Sequence, residues 1–143
     1  FFNSDIGPLL EKRIKPFLQK YNFFMPLSIQ CWANTLRKDQ GIKLHQHSDG
    51  ELQSFYCANI FICGEQEIGT HYVKDADPEY DRNLATKKVL KKFKSVPGEI
   101  ALFDSSLFHY VKPNPNDDVR ISIAMDIYQN TIFNNNDRYY IMK

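Results

Sequence analysis

The positions of apolar residues predict one helix near the start of the chain. Six apolar residues recur there at the spacing of one helix face: Leu9, Leu10, Ile14, Phe17, Leu18 and Tyr21. Lysines and an arginine occupy other positions in the same stretch. We therefore predict a helix over residues 5–21, kinked or split at Pro16, because proline removes a backbone N–H and crowds the preceding turn.

After this helix the pattern changes to short stretches rich in apolar and β-prone residues, separated by turns. The predicted strands cover residues 27–35, 42–47, 52–63, 69–73, 99–103, 108–112 and 119–128. Residues 74–95 are charged and contain a proline, so we predict a loop, with one short helix at most, crossing the outside of a sheet.

One helix followed by about eight short strands, with no internal repeat, predicts a mainly β protein with a sandwich or jelly-roll architecture. A chain of 143 residues has room for one domain with a real core. We therefore predict a single domain over residues 1–143, with the jelly-roll core at 27–128. Such a fold brings strands that are distant in sequence face to face around a central cavity.

Composition narrows the class of protein. Aromatic residues are frequent, with 11 Phe and 8 Tyr, which favours β structure and an aromatic core. The formal net charge of +1 gives no case for a general nucleic-acid or membrane binder, and no apolar run reaches the length of a membrane span. Cys31, Cys57 and Cys63 form no CxxC pair, so we expect reduced thiols in a cytoplasmic protein.

The candidate chemistry begins with two histidines. His45 and His47 lie two residues apart on a predicted strand, so their imidazoles point to the same face. A third donor, which His109 can supply if the fold brings the segments together, completes a metal site with positions left open for substrates. Arg120 and Ser122 share one face of the next strand, and a buried arginine beside a metal indicates a bound small anion.

Several motifs between Cys31 and Tyr128 stand in a specific order and spacing. They are Trp32-Ala33-Asn34, Gly41, His45-Gln46-His47, Tyr56, the segment 98–109 and Arg120-Ile121-Ser122-Ile123-Ala124. As a set they resemble the 2-oxoglutarate/Fe(II)-dependent oxygenases, in particular a small branch found in bacteria and phages.

The resemblance implies a double-stranded β-helix that holds Fe(II) on one face, with 2-oxoglutarate and oxygen as cosubstrates. On this basis His45 and His109 are metal ligands. Arg120 would pair with the distal carboxylate of 2-oxoglutarate, Ser122 would hydrogen-bond it, and Tyr56 is a candidate second donor. The implied protein is a dioxygenase that hydroxylates an unidentified substrate, in the cytoplasm of a cell or, if phage-encoded, of its host.

The second metal ligand has two candidates. His47 would give a three-histidine site, which we prefer because H-x-H matches the small branch. Asp49 is the alternative to His47, since His47-Ser48-Asp49 also forms the H-x-D pattern of a two-histidine, one-carboxylate site. The choice changes the chemistry, because three neutral imidazoles leave the iron more positive.

A second resemblance is to the cupins, which share the jelly-roll architecture and bind Mn, Fe, Zn or Ni. The stretch from His45 to Glu51 fits the cupin pattern H-x-H-x-x-x-E, with Glu51 as a fourth ligand and no 2-oxoglutarate chemistry. The cupin pattern does not explain Arg120 and Ser122, so this metal-binding reading ranks second.

Overall fold

The computed structural model describes residues 5–20, 26–48, 54–64, 66–73, 89–129 and 139–142. Within these residues the chain forms one helix, α1 (Gly7–Lys20), and nine strands. The strands are β1 (Leu27–Leu36), β2 (Ile42–His45), β3 (Tyr56–Cys63), β4 (Thr70–Val73), β5 (Val89–Phe93), β6 (Ile100–Asp104), β7 (Phe108–Val111), β8 (Arg120–Gln129) and β9 (Tyr139–Met142).

The strands build two antiparallel sheets. One has five strands in the order β6-β3-β8-β1-β9, and the other has four in the order β2-β7-β4-β5. Most consecutive strands alternate between the sheets, so neighbours within a sheet come from distant parts of the sequence. This arrangement confirms the predicted mainly β jelly roll with an N-terminal helix.

Helix α1 covers one face of the five-stranded sheet. Leu10, Ile14 and Leu18 recur every fourth residue, are at most 4% exposed, and pack on apolar side chains of β1, β3 and β8. The helix continues through Pro16 and is not split. Pro16 lies on the exposed side, where water can satisfy the carbonyl that loses its N–H partner. No helix in the described residues is long and apolar enough to cross a membrane.

Strand β5 corrects the prediction of a loop or short helix for residues 74–95. It pairs antiparallel with β4, from Thr70 opposite Phe93 to Val73 opposite Val89. Four of its five residues are exposed, because β5 is one of the two edge strands of the four-stranded sheet. Lysines are common on such edges, so the usual alternation of apolar and polar residues is missing from the sequence. Residues 74–88 lie outside the described part of the chain.

The second face of the five-stranded sheet turns towards the four-stranded sheet. Along β8, Ile123, Met125 and Ile127 pack towards α1. The residues between them alternate to the opposite side, where Arg120 and Ser122 line a cavity between the sheets. This interior holds the candidate site.

Candidate metal centre

Three histidines meet between the two sheets. Strands β2 and β7 pair with His45 opposite His109. His47 lies just beyond the end of β2, where its backbone N–H donates to the carbonyl of Ser105 at 2.9 Å. The ring centroids are 4.2 to 5.1 Å apart, and one ligand atom from each ring lies within 4.8 Å of the others. The structure therefore brings together all three histidines of the predicted ligand set.

Backbone hydrogen bonds determine which ring nitrogen two of these histidines offer. Nδ1 of His45 lies 2.8 Å from the carbonyl oxygen of Lys43, and Nδ1 of His109 lies 2.9 Å from that of Leu107. Because a carbonyl oxygen only accepts hydrogen bonds, each Nδ1 carries the proton. The lone pair is therefore on Nε2, the atom that can bind a metal.

Burial keeps these two imidazoles in the neutral form that metal ligation requires. His109 is 4% exposed, and its pKa is lowered to about 3, first by burial and then by the nearby His45. Burial also lowers the pKa of His45. A metal ion does not have to displace a proton from a neutral imidazole, so the donor set fits a divalent cation.

His47 is oriented by a side chain of the opposite sheet. Its Nδ1 lies 2.9 Å from Oδ1 of Asp126, a residue of β8, so Nδ1 donates to the carboxylate and Nε2 is left for a metal. Trp32 stacks on the imidazole, with ring centroids 5.8 Å apart.

The same carboxylate oxygen accepts a second hydrogen bond, from the thiol of Cys57 at 3.1 Å. Ligand atoms of His47, Cys57 and Asp126 also lie within 4.8 Å of one another, which makes them a second possible metal group. Burial and the charge of Asp126 raise the pKa of the Cys57 thiol, so it stays protonated and is a poor ligand. The three-histidine group is the better candidate.

Arg120 lies at the other end of the interior cavity and is 3% exposed. Its Nε donates to the carbonyl of Ile68 at 3.1 Å, and its terminal nitrogens donate to the hydroxyls of Ser122 at 3.2 Å and Ser95 at 3.3 Å. None of these partners is charged, and in the described residues Arg120 forms no ion pair with a carboxylate. Burial accordingly lowers the pKa of the guanidinium.

One cavity connects the histidines to Arg120. Its polar lining comes from both sheets: Asn34, His45, His47, Asn59, Thr70, His109, Arg120 and Ser122. A second cavity shares Asn59, Thr70, Arg120 and Ser122 and extends to Ser95. The arrangement suits a small anion that reaches a metal with one end and the guanidinium with the other.

The structure does not bring Tyr56 to this cavity, which corrects its prediction as a second donor. Tyr56 lies opposite Ile127 in the pairing of β3 with β8 and packs with the core beneath α1. Its neighbour Cys57 and the next alternate residue, Asn59, line the cavity instead. The sequence located the strand correctly but not which of its two faces points inward.

Tyr72 occupies a position that the sequence analysis missed. It lies opposite His109 in the pairing of β4 with β7 and is 2% exposed. Its hydroxyl is buried near the side chain of Asn59, but without the geometry of a full hydrogen bond. A buried hydroxyl that lacks a well-formed bond is costly, so a ligand that accepts one would be favoured here.

The fourth histidine of the chain, His71, does not join the metal site. His71 is on the opposite side of β4 from Tyr72, stacked on Tyr110 with ring centroids 4.8 Å apart, and does not line the cavity that holds the three histidines. Asp49, the alternative ligand, and Glu51, the cupin ligand, lie outside the described residues. Both of those assignments stay predictions.

Comparisons with known proteins point to one family. Residues 30–126, more than half of the chain, match the family model described as "Putative 2OG-Fe(II) oxygenase", where 2OG is 2-oxoglutarate. The matched range contains the three histidines, Arg120 and Ser122. A search of curated proteins found no match.

Solved structures share the fold at low sequence identity. An oxidoreductase of the 2OG-Fe(II) oxygenase family from Burkholderia pseudomallei has 17% identity and a TM-score of 0.63, covering 86% of this chain and 54% of its own. HygX from Streptomyces hygroscopicus, with nickel and 2-oxoglutarate bound, has 13% identity and a TM-score of 0.61, covering 90% and 69%. The non-heme alpha-ketoglutarate-dependent carbocyclase SnoK from nogalamycin biosynthesis has 12% identity and a TM-score of 0.67, covering 98% and 72%. The chain thus spans about half the length of the Burkholderia protein.

Proposed function

We propose, because the chain belongs to the 2-oxoglutarate/Fe(II)-dependent oxygenase family, that it is a dioxygenase in which His45, His47 and His109 hold the metal. The family consists of oxidoreductases whose cofactors are Fe(II) and 2-oxoglutarate. We further propose that the reaction hydroxylates a substrate of unidentified class, with oxygen as the other cosubstrate, and that the protein acts in the cytoplasm.

The observation that carries the proposal is the buried Arg120, which has no anionic partner in the described residues. A buried charge without a counter-charge is unfavourable, so such an arginine is expected where a ligand supplies the charge. Its planar guanidinium can bond both oxygens of a carboxylate at once, and Ser122 adds a hydroxyl beside it. The cupin metal-binding pattern does not explain a buried arginine with a hydroxyl beside it.

Each residue then has a defined task. Fe(II), when bound, supplies the oxidative chemistry: substrate, oxygen and 2-oxoglutarate give hydroxylated substrate, succinate and carbon dioxide. The three imidazoles would hold the ion, and coordination positions would remain for 2-oxoglutarate and oxygen. Arg120 and Ser122 hold the distal carboxylate of 2-oxoglutarate, which orients the cosubstrate along the cavity.

Tyr72 replaces Tyr56 as the candidate second donor to 2-oxoglutarate. Its hydroxyl is buried beside Asn59 of the cavity lining without a well-formed hydrogen bond, and its ring centroid lies 5.9 Å from that of His109. A carboxylate between the metal and Arg120 would accept a hydrogen bond from it. Tyr72 and Phe103 also pack against His109 and exclude water from that side of the metal.

The metal assignment is tested with His109→Ala, and His71→Ala is the matched control because His71 lies outside the metal cavity. We expect His109→Ala to lose both Fe(II) binding, measured by metal content after anaerobic loading, and succinate production. His71→Ala should keep both. Full iron binding by His109→Ala would contradict the assignment.

The cosubstrate assignment is tested with Arg120→Ala, with the exposed Arg37→Ala as its control. Arg120→Ala should still bind Fe(II) but need on the order of 100-fold more 2-oxoglutarate for half-maximal succinate production, since a buried charge pair is worth a few kcal/mol. Arg37→Ala should match the wild type. Metal binding by the wild type without any 2-oxoglutarate turnover would favour the cupin alternative.

A further inference from the structure

We propose that Asp126 is a positioning residue of this metal centre: its carboxylate orients His47 towards the metal and supplies the negative charge that three neutral imidazoles lack. This inference rests on the proposed function, because it assumes a metal at the three histidines. Asp126 does not touch the metal itself in this arrangement. It acts through Nδ1 of His47, which lies 2.9 Å from its Oδ1.

The three histidines are not equivalent in how they are held. Nδ1 of His45 and Nδ1 of His109 each donate to the carbonyl oxygen of the residue two positions earlier, Lys43 and Leu107. These contacts are local and uncharged. Nδ1 of His47 instead donates to a carboxylate on the opposite sheet, so the ring is held by a long-range, charge-assisted hydrogen bond.

The position of His47 explains why it needs this partner. Strand β2 ends at His45, so His47 lies beyond the regular pairing that holds the other two rings. Its backbone N–H donates to the carbonyl of Ser105, and its carbonyl accepts from the hydroxyl of Ser54 at 3.1 Å, but neither bond fixes the ring. The stack with Trp32 and the bond to Asp126 then hold the ring and leave Nε2 as the nitrogen that can bind a metal.

The surroundings of Asp126 indicate a charge that a metal would balance. Asp126 is 9% exposed and forms no ion pair with lysine or arginine in the described residues. Its near partners are the imidazole of His47, the thiol of Cys57 at 3.1 Å and the hydroxyl of Tyr128 at 3.5 Å. A divalent cation behind His47 supplies the missing opposite charge.

The consequence is that the negative charge of the site lies behind His47 and not on the metal itself. A two-histidine, one-carboxylate set places a carboxylate directly on the metal. Here the carboxylate is one imidazole further out, where it polarises the Nδ1–H bond and makes His47 a more basic ligand than His45 or His109. Such outer carboxylates typically change metal affinity by 10- to 100-fold.

The test compares Asp126→Asn with Asp117→Asn, using Co(II) as a spectroscopic probe. Asn keeps the shape and an accepting oxygen but removes the charge, and Asp117 is an exposed carboxylate that pairs with Lys38 and does not line the metal cavity. We expect Asp126→Asn to weaken Co(II) binding by roughly 10- to 100-fold and to shift the visible absorption of bound Co(II). It should also raise the Fe(III)/Fe(II) potential of the iron-loaded protein. Asp117→Asn removes the same charge from the surface and should stay within about threefold of the wild type.

The outcomes separate this inference from the function on which it rests. Wild-type Co(II) affinity and potential in Asp126→Asn, with binding abolished in His109→Ala, would overturn the role of Asp126 alone. Complete loss of Co(II) in Asp126→Asn, as in His109→Ala, would make Asp126 a direct ligand and overturn the positioning role. Absence of Co(II) binding in the wild type would remove the metal centre and the inference together.

A measurement on the wild type avoids reliance on a variant that fails to fold. Nitrogen–proton NMR correlations of the Zn(II)-loaded protein assign the protonated nitrogen of each ring. All three histidines should carry the proton on Nδ1, and the Nδ1 proton of His47 should lie downfield of the other two because its acceptor is charged. Coordination of His47 through Nδ1 would overturn the inference.

Discussion

The two faces of the five-stranded sheet are equally buried but differ in chemistry. On the face beneath α1, Met125 and Ile127 are 1% exposed and fill an apolar core. On the inward face of the same strand, Arg120, Ser122 and Asp126 are 3, 4 and 9% exposed. Apolar burial stabilises the fold, whereas burying a cation and an anion apart from each other costs free energy. The inward face is therefore built for ligands that balance those charges.

The largest effect should come from pH, because the interior between the sheets holds the buried His109. The pKa of His109 is lowered to about 3 in the folded protein, whereas its pKa in the unfolded chain is near 6.5. Between pH 3 and pH 6.5 the unfolded chain therefore binds more protons than the folded protein, and acid favours unfolding. The stability of the metal-free protein should be complete above pH 6.5 and fall towards pH 3, by on the order of 4 kcal/mol from this group.

Denaturant unfolding at a series of pH values checks this effect. The difference between wild type and His109→Ala isolates the histidine from the acidic groups that titrate in the same range. If the free energy of unfolding depended on pH in the same way in both proteins, His109 would not be held neutral by burial.

The second-largest effect should come from a substitution on the apolar face beneath α1. Ile127→Ala removes a side chain that is 1% exposed beneath α1 and should lower the free energy of unfolding by about 3 kcal/mol. Because Ile127 points away from the cavity, Co(II) affinity of the folded variant should not change. A loss of metal affinity comparable to that of His109→Ala would mean that the two faces do not act independently.

Ser122→Ala should have a smaller effect than Ile127→Ala, and the effect should be on the binding of 2-oxoglutarate. The Ser122 hydroxyl accepts from Arg120 at 3.2 Å and faces the cavity, so its removal takes one hydrogen bond from the bound carboxylate. We expect roughly tenfold weaker 2-oxoglutarate binding, about 1.4 kcal/mol, with Fe(II) affinity unchanged. Calorimetric titrations of Fe(II) and of 2-oxoglutarate under anaerobic conditions measure the two affinities. Equal weakening of both would contradict the assignment of Fe(II) to the histidines and of 2-oxoglutarate to Arg120 and Ser122.

The smallest effect should be that of Arg120→Met on folding. The variant loses three hydrogen bonds but also the cost of a buried, unpaired charge, so the free energy of unfolding of the cofactor-free protein should change by less than about 1 kcal/mol. A loss as large as that of Ile127→Ala would mean that Arg120 serves the fold and not a ligand. Thermal and denaturant melts of the two variants side by side decide this.

The fold class was predictable from the pattern of short strands, and the family, with His45, His109 and Arg120 in its site, from the resemblance of the motifs between Cys31 and Tyr128. Tyr56 was placed on the wrong face because β3 has buried residues on both faces, so no alternation shows which side is inward. Tyr72 was missed for the same reason on β4, where all four residues are buried. Asp126 shares the face of Arg120 and Ser122, a signal that was present but resembled an ordinary polar position.

The central claim is that one cavity joins Fe(II) at the histidines to 2-oxoglutarate at Arg120. Its most direct test is an anaerobic titration of 2-oxoglutarate into the Fe(II)-loaded wild type, followed by the weak visible charge-transfer band of the chelate. The band should appear and saturate, and in Arg120→Ala it should require on the order of 100-fold more 2-oxoglutarate. Iron-loaded wild type that develops no band, or equal affinity in the two proteins, would contradict the claim.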